Sequence, residues 1–464
     1  MGLLTISAGP QFRRIIAPVA GSLVRPVALS ATLILLTLVP ATANATEPDN
    51  TQLPISGSLE AWDASARQLM SQGQFDEASA IINARLAMVP KDVQARFLKG
   101  MIALAKGENR EAIRMFRSIL VDQPGAARVR LELARAFYLD KDYGNALRQF
   151  QLALAAHHPP EVAANIARYI ALIRQAKTVS YHFDVAVAPD TNLNTGSSAR
   201  EVSLFGLPFD LSDDARKRSG VGLALAAGGE WAPQIGKSTR LRLGFEGQRR
   251  DYAGSTFDDT ILAVHMGPRV SSGRWDASVL ATASQRWFGP AVYNHAAGAS
   301  LEATYFVSPR FELSVALVSQ WVQYRRDSTR NVRVIALNVG AFTALSSSSV
   351  VTAKVGVSRQ DAKFSAYSNW SGFVAVGYFR ELPMGFSAYV EPSISFAHYD
   401  TALLGFDRRR VDKTKSVLVT LLNRRLVLGR FTPRLSYTYV VQSSSVPLYA
   451  FTRNRLEVGL TTTF

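Results

Sequence analysis

Four carboxylates in the second half of the chain, Asp184, Glu246, Glu302 and Glu312, sit on the polar side of stretches in which apolar and polar residues alternate. Two carboxylates held in contact can divide acid and base work between them, but each of these belongs to a separate stretch. Isolated carboxylates lining a polar interior set its field and selectivity instead. A second candidate is the run Pro189-Asp-Thr-Asn-Leu-Asn194, which ends the alternation VSYHFDVAVA and follows His182 and Asp184 by a few residues. Proline fixes the backbone there, and Asp and Asn side chains bond back to nearby amides, so the run reads as a polar rim turn. The rival reading has Asp190, Asn192 and Asn194 pointing into a lumen gate beside His182 and Asp184. As a calcium loop the run holds too few carboxylates. His157-His158 is a poor metal pair, since adjacent residues at a helix end point apart.

No nucleophile elbow, phosphate loop, zinc spacing or dinucleotide fingerprint appears. The chain is therefore predicted to be no enzyme and to hold neither metal nor cofactor.

The elements that would position these residues differ sharply between the two halves. From Val179 to the last residue the hydropathy period is two. In RFELSVALVSQW, Phe311, Leu313, Val315, Leu317 and Trp321 share one face while Glu312, Ser314 and Gln320 take the other; STRLRLGFEGQR and RLEVGLTTTF repeat the pattern. One face so consistently apolar and the other so charged fits a transmembrane barrel with a watery interior better than a soluble sandwich. About fourteen such segments can be counted, starting near Val179, Gly220, Thr239, Asp258, Arg274, His295, Arg310, Asn331, Ser349, Trp370, Met384, Lys413, Thr432 and Thr452. Their connections are expected to alternate, long at 190–219, 289–294, 325–330 and 399–412 and short at 271–273, 308–309 and 382–383. Short turns on the periplasmic side and longer outer loops are the rule for such barrels. Phe464, on the lipid face, fits the C-terminal signal of this class.

Between Ser58 and Lys177 the periodicity is helical and the chain repeats itself. Small residues recur every 34 residues, at Ala66, Gly100 and Ala134 and again at Ala78, Ala112 and Ala146. Gly73, Gly107 and Lys141 mark the turns, Phe116 and Phe150 match, and Pro90 and Pro124 close the first two units, while the third has His158 at that place with Pro159 just after it. This is the tetratricopeptide pattern, in which small residues let paired helices approach. A further helix from Pro160 to about Lys177 carries Val162, Ile166, Tyr169, Ile170 and Ile173 on one side and reads as the cap such an array needs. The repeat register would present Gln94, Phe97, Met101, Arg128, Leu131, Arg135 and Tyr138 to a groove for a peptide or protein; the alternative is that Phe97, Met101 and Leu131 are inter-helix core.

The N-terminus supplies the address. Arg13, Arg14 and Arg25 precede an apolar run from Val27 to Val39 that ends in small residues, the pattern of a secretory signal peptide. The chain contains no cysteine, which excludes disulfides and a lipid-anchored N-terminal Cys. Its formal net charge of +16 finds its counterpart for an exported protein in anionic lipid or lipopolysaccharide rather than nucleic acid.

The expected organisation is a signal peptide over 1–45, a linker over 46–57, a periplasmic tetratricopeptide domain over 58–177 and an antiparallel outer-membrane β-barrel over 178–464, in a Gram-negative bacterium. An apolar cluster, Leu204 to Leu211 with Phe205, Leu207 and Phe209 at its centre, falls in the first long outer loop. Such a cluster is not expected to stay in water. It either folds back on the barrel mouth or serves emerging cargo as a gate or chaperone.

The stretch from Tyr181 through Ala188-Pro189-Asp190-Thr191-Asn192-Leu193-Asn194 resembles the start of the barrel in the surface lipoprotein assembly modulators, the Slam family. The order of parts, from signal peptide through repeats to barrel, is similar over nearly the whole chain. The resemblance implies an outer-membrane translocator that delivers selected lipoproteins, or related secreted ligand-acquisition proteins, from periplasm to cell surface. It further implies a barrel that is the translocation unit, repeats that engage the client, no bound nucleotide, and dealings with periplasmic chaperones or the barrel-assembly machinery. An exopolysaccharide exporter and a general diffusion porin with a scaffolding domain remain the alternatives.

Overall fold

A computed structural model describes residues 59–212 and 215–462. The signal peptide, the linker and Phe464 lie outside the described residues. By packing, the described residues separate into two units, residues 59–116 and residues from 117 onward. The first holds α1 (Leu59–Ser71), α2 (Phe75–Met88), α3 (Val93–Ala105) and most of α4 (Asn109–Asp122). The second holds α5 (Ala127–Leu139), α6 (Tyr143–Leu154), α7 (Pro160–Ala176) and every strand.

The repeat positions explain the helices. Ala66, Ala78, Ala112, Ala134 and Ala146 are fully buried. At Gly100 an added Cβ would lie 2.6 Å from the Phe116 ring, so only glycine lets α3 and α4 come this close. The turn positions Gly73, Gly107 and Lys141 all adopt left-handed backbone, at φ of 78°, 77° and 61°. Glycine does this without cost and lysine does not. Asp92 caps α3 by accepting from the Ala95 N–H at 2.9 Å and also takes the Arg85 Nε at 2.8 Å. In the second unit Tyr169 of α7 stacks on Phe150 of α6 at 5.0 Å, and Ile166, Ile170 and Ile173 are buried.

The strands close into one barrel of fourteen. In barrel order these are β1 (Val179–Asp190), β4 (Gly220–Trp231), β5 (Thr239–Tyr252), β6 (Asp259–Ser272), β7 (Trp275–Phe288), β8 (Ala291–Ser308), β9 (Phe311–Tyr324), β10 (Val332–Ser346), β11 (Ser349–Ala362), β12 (Asn369–Glu381), β13 (Phe386–Ala402), β14 (Arg409–Asn423), β15 (Thr432–Ser444) and β16 (Phe451–Thr461). All neighbours are antiparallel, and β1 pairs β16 to close the ring. A separate hairpin, β2 (Glu201–Leu204) with β3 (Leu207–Asp210), lies in the first loop. Among the described residues no helix is long and apolar enough to cross a membrane; the strands do the crossing.

The outer wall is apolar, with Phe245, Val264, Leu301, Val357, Leu435 and Val458 exposed along it. Trp231 and Trp275 stand on it near the end that carries the helices, and Trp321 and Trp370 near the far end. Two tryptophan levels flanking an apolar belt are what a bilayer with two interfaces selects.

Two sequence expectations need correction. The expected long connection at 289–294 is a tight turn at Gly289 and Pro290, because β7 and β8 run on past the bilayer-facing alternation. For the same reason β8 and β14 begin at Ala291 and Arg409, earlier than His295 and Lys413: their outer ends carry Asn294 and Arg409-Arg410, which show no apolar period.

Candidate functional site: the barrel lumen and its two ends

At the far end, the polar run after β1 is a hydrogen-bonded latch across the closing seam. Asp190, 3% exposed, receives Arg453 of β16 at 3.0, 2.9 and 2.6 Å and the Asn192 N–H at 2.9 Å. Asn192 is fully buried; its amide donates to Gly196 O at 3.0 Å and Thr452 O at 3.3 Å, and its Oδ1 accepts from the Gly196 N–H at 2.8 Å. Asn194 donates to Arg216 O at 2.7 Å and accepts from the Arg218 N–H at 3.1 Å, tying the two ends of the first loop together. The Ser197 hydroxyl donates to Pro447 O at 3.0 Å. Pro189 lacks an N–H, and the β1–β16 ladder passes it by, running through Val187↔Val458 and resuming at Asp190↔Arg455. The latch therefore replaces ladder bonds where the seam loses them. Asp190, Asn192 and Asn194 are consumed in it and do not converge with His182 and Asp184, which lie further down β1.

The neighbouring loop holds a carboxyl pair. The Tyr252 N–H donates to Asp258 at 2.8 Å, and Arg249 reaches Asp251 at 3.1 Å and Asp258 at 3.6 Å. Burial, and then the hydrogen bond with Asp251, push the Asp258 carboxyl up to about 6. Facing the same end, Arg330 lies over Tyr324 at 4.7 Å and Arg410 over Tyr449 at 3.5 Å.

Within the lumen three of the carboxylates read from sequence as isolated, Asp184, Glu246 and Glu302, face a basic group on another strand. Glu302 meets Arg242 at 2.8 Å, and Arg242 also meets Glu230 at 2.8 Å. Glu246 lies 3.4 Å from His182. Asp184, 1% exposed, lies 4.0 Å from Arg434, which pairs Glu457 at 3.1 Å. Lys354 meets Glu391 at 2.7 Å. Alternation put these groups inside, and basic groups one to three strands away face them there, with Asp184 at the longest range.

The other end of the lumen receives the helices. Leu152 of α6, 1% exposed, is buried with Ala344, Val350, Phe379, Tyr389 and Leu418, all on the lumen side of β10 to β14. Glu381, at the end of β12, receives Arg130 of α5 at 2.6 Å, Arg424 at 3.1 Å and Arg148 of α6 at 3.8 Å. Glu312 of β9 receives Gln151 of α6 and Arg174 of α7, both at 2.7 Å, and Arg174 also lies 3.4 Å over the Phe306 ring. Ser347 donates to Gly125 O at 3.0 Å. Burial draws the Arg148 guanidinium down to about 10 and lowers Arg174 as well.

With this arrangement of barrel and helices in view, comparison with known proteins decides the family. The surface lipoprotein assembly modifier family matches residues 181–464, and the N-terminal TPR repeats of surface lipoprotein assembly modifiers match residues 84–150. The chain belongs to the surface lipoprotein assembly modifier family. It is 23% identical to surface lipoprotein assembly modifier 1 of Neisseria meningitidis serogroup B over 80% of this chain and 76% of that protein. It is 24% identical to the surface lipoprotein assembly modifier of Moraxella catarrhalis over 81% and 75%. Among solved structures, the outer membrane channel DcaP of Acinetobacter baumannii is similar at a TM-score of 0.36 and 9% identity, covering 62% of this chain and 97% of that one.

Seen as a surface lipoprotein assembly modifier, the chain is an outer-membrane barrel protein with lipoproteins as its concern. Its groove candidates divide between the two units. Phe97 is core, 7% exposed and packed on Phe116 at 5.7 Å, a correction to its assignment as groove lining. Gln94 and Met101 are half-buried. In the second unit Arg128 is exposed, Leu131 half-buried, and Arg135 pairs with Glu132 at 2.8 Å; Tyr138 is committed to Tyr143 and Tyr169. His158 donates to Ala153 O at 2.8 Å, a polar group in the link between α6 and α7.

The apolar loop cluster also needs correction. Phe205, Leu207 and Phe209 are 71%, 61% and 44% exposed, while Leu204 and Leu211 are half-buried and Val202 beside them is buried. The reason is the tight turn: Phe205 and Gly206 take φ of 53° and 77°, holding a short two-stranded ribbon whose tip is anchored by the Phe205 N–H to Gly405 O at 2.8 Å. The residues that sequence reasoning missed are Arg130, Arg148, Arg174 and Glu381. Arg174, lying just beyond Ile170 and Ile173 in the last turn of a helix that buries them, was the one available signal.

Proposed function

We propose that this chain delivers selected lipoproteins, or related secreted ligand-acquisition proteins, from the periplasm to the cell surface, with its helices on the periplasmic side. The observation that carries the reading is a polar-lined barrel of fourteen strands, in a chain of this family, whose helix-bearing end is packed with tetratricopeptide-type helices. An even strand number returns the C-terminus to the side from which the first strand started, the side of the helices. Tetratricopeptide surfaces bind peptides, which suits capture of a client before passage, with Gln94, Met101, Arg128, Leu131 and Arg135 as the residues for it. The exposed Phe205, Leu207 and Phe209 then meet the client as it emerges. A general porin is disfavoured, since its lumen needs no cross-strand ion pairs at each level and no helices in one mouth. An exopolysaccharide exporter has no observation in its favour.

The test is deletion of the gene followed by protease shaving of intact cells. The expected result is that a lipoprotein leaves the protease-accessible surface while uptake of small solutes is unchanged. Loss of uptake with surface lipoproteins intact would refute the proposal. Replacing Phe205, Leu207 and Phe209 together by serine is expected to lower display without reducing the amount of folded barrel.

A further inference from the structure

The contacts at the helix-bearing end have a feature that ordinary domain packing lacks. They are mainly charged: three guanidiniums, from Arg130, Arg148 and Arg424, surround the single Glu381 carboxylate, and a fourth, Arg174, shares Glu312 with Gln151. Replacing buried ion pairs by apolar packing usually leaves stability unchanged or higher, so they are a poor choice where permanence is all that is needed. In the Arg130–Glu381 pair, moreover, each partner keeps a second partner on its own side of the contact. Arg130 also donates to Gln149 Oε1 at 2.5 Å and to Pro124 O at 2.7 Å, both on the helical side. Glu381 also holds Arg424, in the turn after β14, at 3.1 Å on the barrel side. Parting the two surfaces would rehydrate Arg148 and Arg174, both buried at a cost to their charged form, and would leave no carboxylate without a cation or water. The apolar component is small and local: the Leu152 peg among Ala344, Val350, Phe379, Tyr389 and Leu418.

We propose that α5–α7 form a removable plug in the helix-bearing mouth of the barrel, with Leu152 as its peg and the Arg130–Glu381 and Arg174–Glu312 pairs as its latches, and that a client enters only when the plug withdraws. The role given to the client rests on the translocator reading; the plug itself does not. A segment presenting an apolar side chain between basic ones would compete for the same surfaces, since that is what α6 and α7 offer them.

The absence of cysteine from the natural chain makes the test clean. The full chain carrying Gly125→Cys and Ser347→Cys, at the 3.0 Å contact between these residues, beside the Arg130–Glu381 latch but using none of its side chains, is bridged by a short reducible thiol crosslinker. The crosslinked protein is expected to conduct no ions in planar bilayers and to display no client, with display recovered on reduction. A second variant, Arg174→Gln with Leu152→Ser, alters only the helical side and is expected to raise conductance at least tenfold over the unmodified chain. Client display by the crosslinked protein at the reduced rate would overturn the plug, as would wild-type conductance from the second variant in its folded, heat-modifiable form. Conductance that responds as expected while no form displays a lipoprotein would uphold the plug and refute the translocator reading instead.

Discussion

Replacing Asn192 by alanine tests the latch at its most buried point. The side chain is fully buried and makes three hydrogen bonds, at 3.0, 3.3 and 2.8 Å. At about 1 kcal/mol net for each, the loss is roughly 2–4 kcal/mol of local stability. Gly196 keeps a weaker bond from its N–H to Asn194 Oδ1 at 3.3 Å, which holds the estimate below the cost of a fully orphaned donor. In amide exchange that range means protection falling roughly 30- to 900-fold in residues 191–198 and in the facing stretch 447–454. The measurement is hydrogen exchange by mass spectrometry on the refolded chain in detergent, with β9–β11 as the internal reference, since nothing there touches the latch. Asn192→Asp separates donation from acceptance: it can still receive the Gly196 N–H, cannot donate to Gly196 O or Thr452 O, and sets a second carboxylate beside Asp190. Its effect is expected to equal or exceed that of alanine. A change under threefold in both variants would show that the loop is held by something other than these bonds.

Three further outcomes follow from the same geometry. Asp190→Ala leaves the buried Arg453 guanidinium without its anion and is expected to lower stability by about 3–5 kcal/mol, read as a fall in the urea midpoint of the refolded barrel; an unchanged midpoint contradicts it. Gly459→Ala would place a Cβ 1.9 Å from Val185 O across the closing seam, where backbone cannot yield, so the heat-modifiable band should vanish; Gly125→Ala, which meets nothing within 4 Å, should keep it. Asp258, raised from an ordinary carboxyl value of 3.8 to about 6, stabilises the folded loop most below pH 3.8 and loses that contribution as pH rises through 6. Exchange in residues 252–258, corrected for its intrinsic pH dependence, should therefore quicken between pH 5 and 7.5, and Asp258→Asn should flatten that change.

What the sequence reveals and what it hides have physical causes. A barrel wall has lipid on one side and water and ions on the other, so the period of two survives in RFELSVALVSQW and its counterparts. The wall loses legibility where strands leave the bilayer, which is why β8 and β14 start earlier than alternation places them. The repeats are legible because the same close approach recurs, forcing a small residue at Ala66, Gly100 and Ala134 alike. Nothing local encodes partnerships such as Arg130 with Glu381, 251 positions apart, or Asp190 with Arg453, 263 apart. Each member is compatible with a solvated surface until the barrel closes and brings its partner to it. The exposed Phe205, Leu207 and Phe209 escape a burial rule because the hairpin that carries them is too short to fold over itself.

The two ends of the barrel use the same chemistry to opposite effect. At the far end, Asp190 binds a guanidinium on the strand that closes the ring, and Asn192 saturates both its donor and its acceptor against backbone on either side of the seam. Withdrawing that segment would strand buried groups that have no alternative partners, so the seam is fixed. At the helix-bearing end, Arg130 and Glu381 each keep a partner when parted, and Leu152, with Ala155 beside it, leaves an apolar pocket. Charge pairs thus lock a structure when their members have nowhere else to go and permit motion when they do. A conduit that must hold its wall in the membrane while opening its mouth to a protein needs both conditions, and this chain places one at each end.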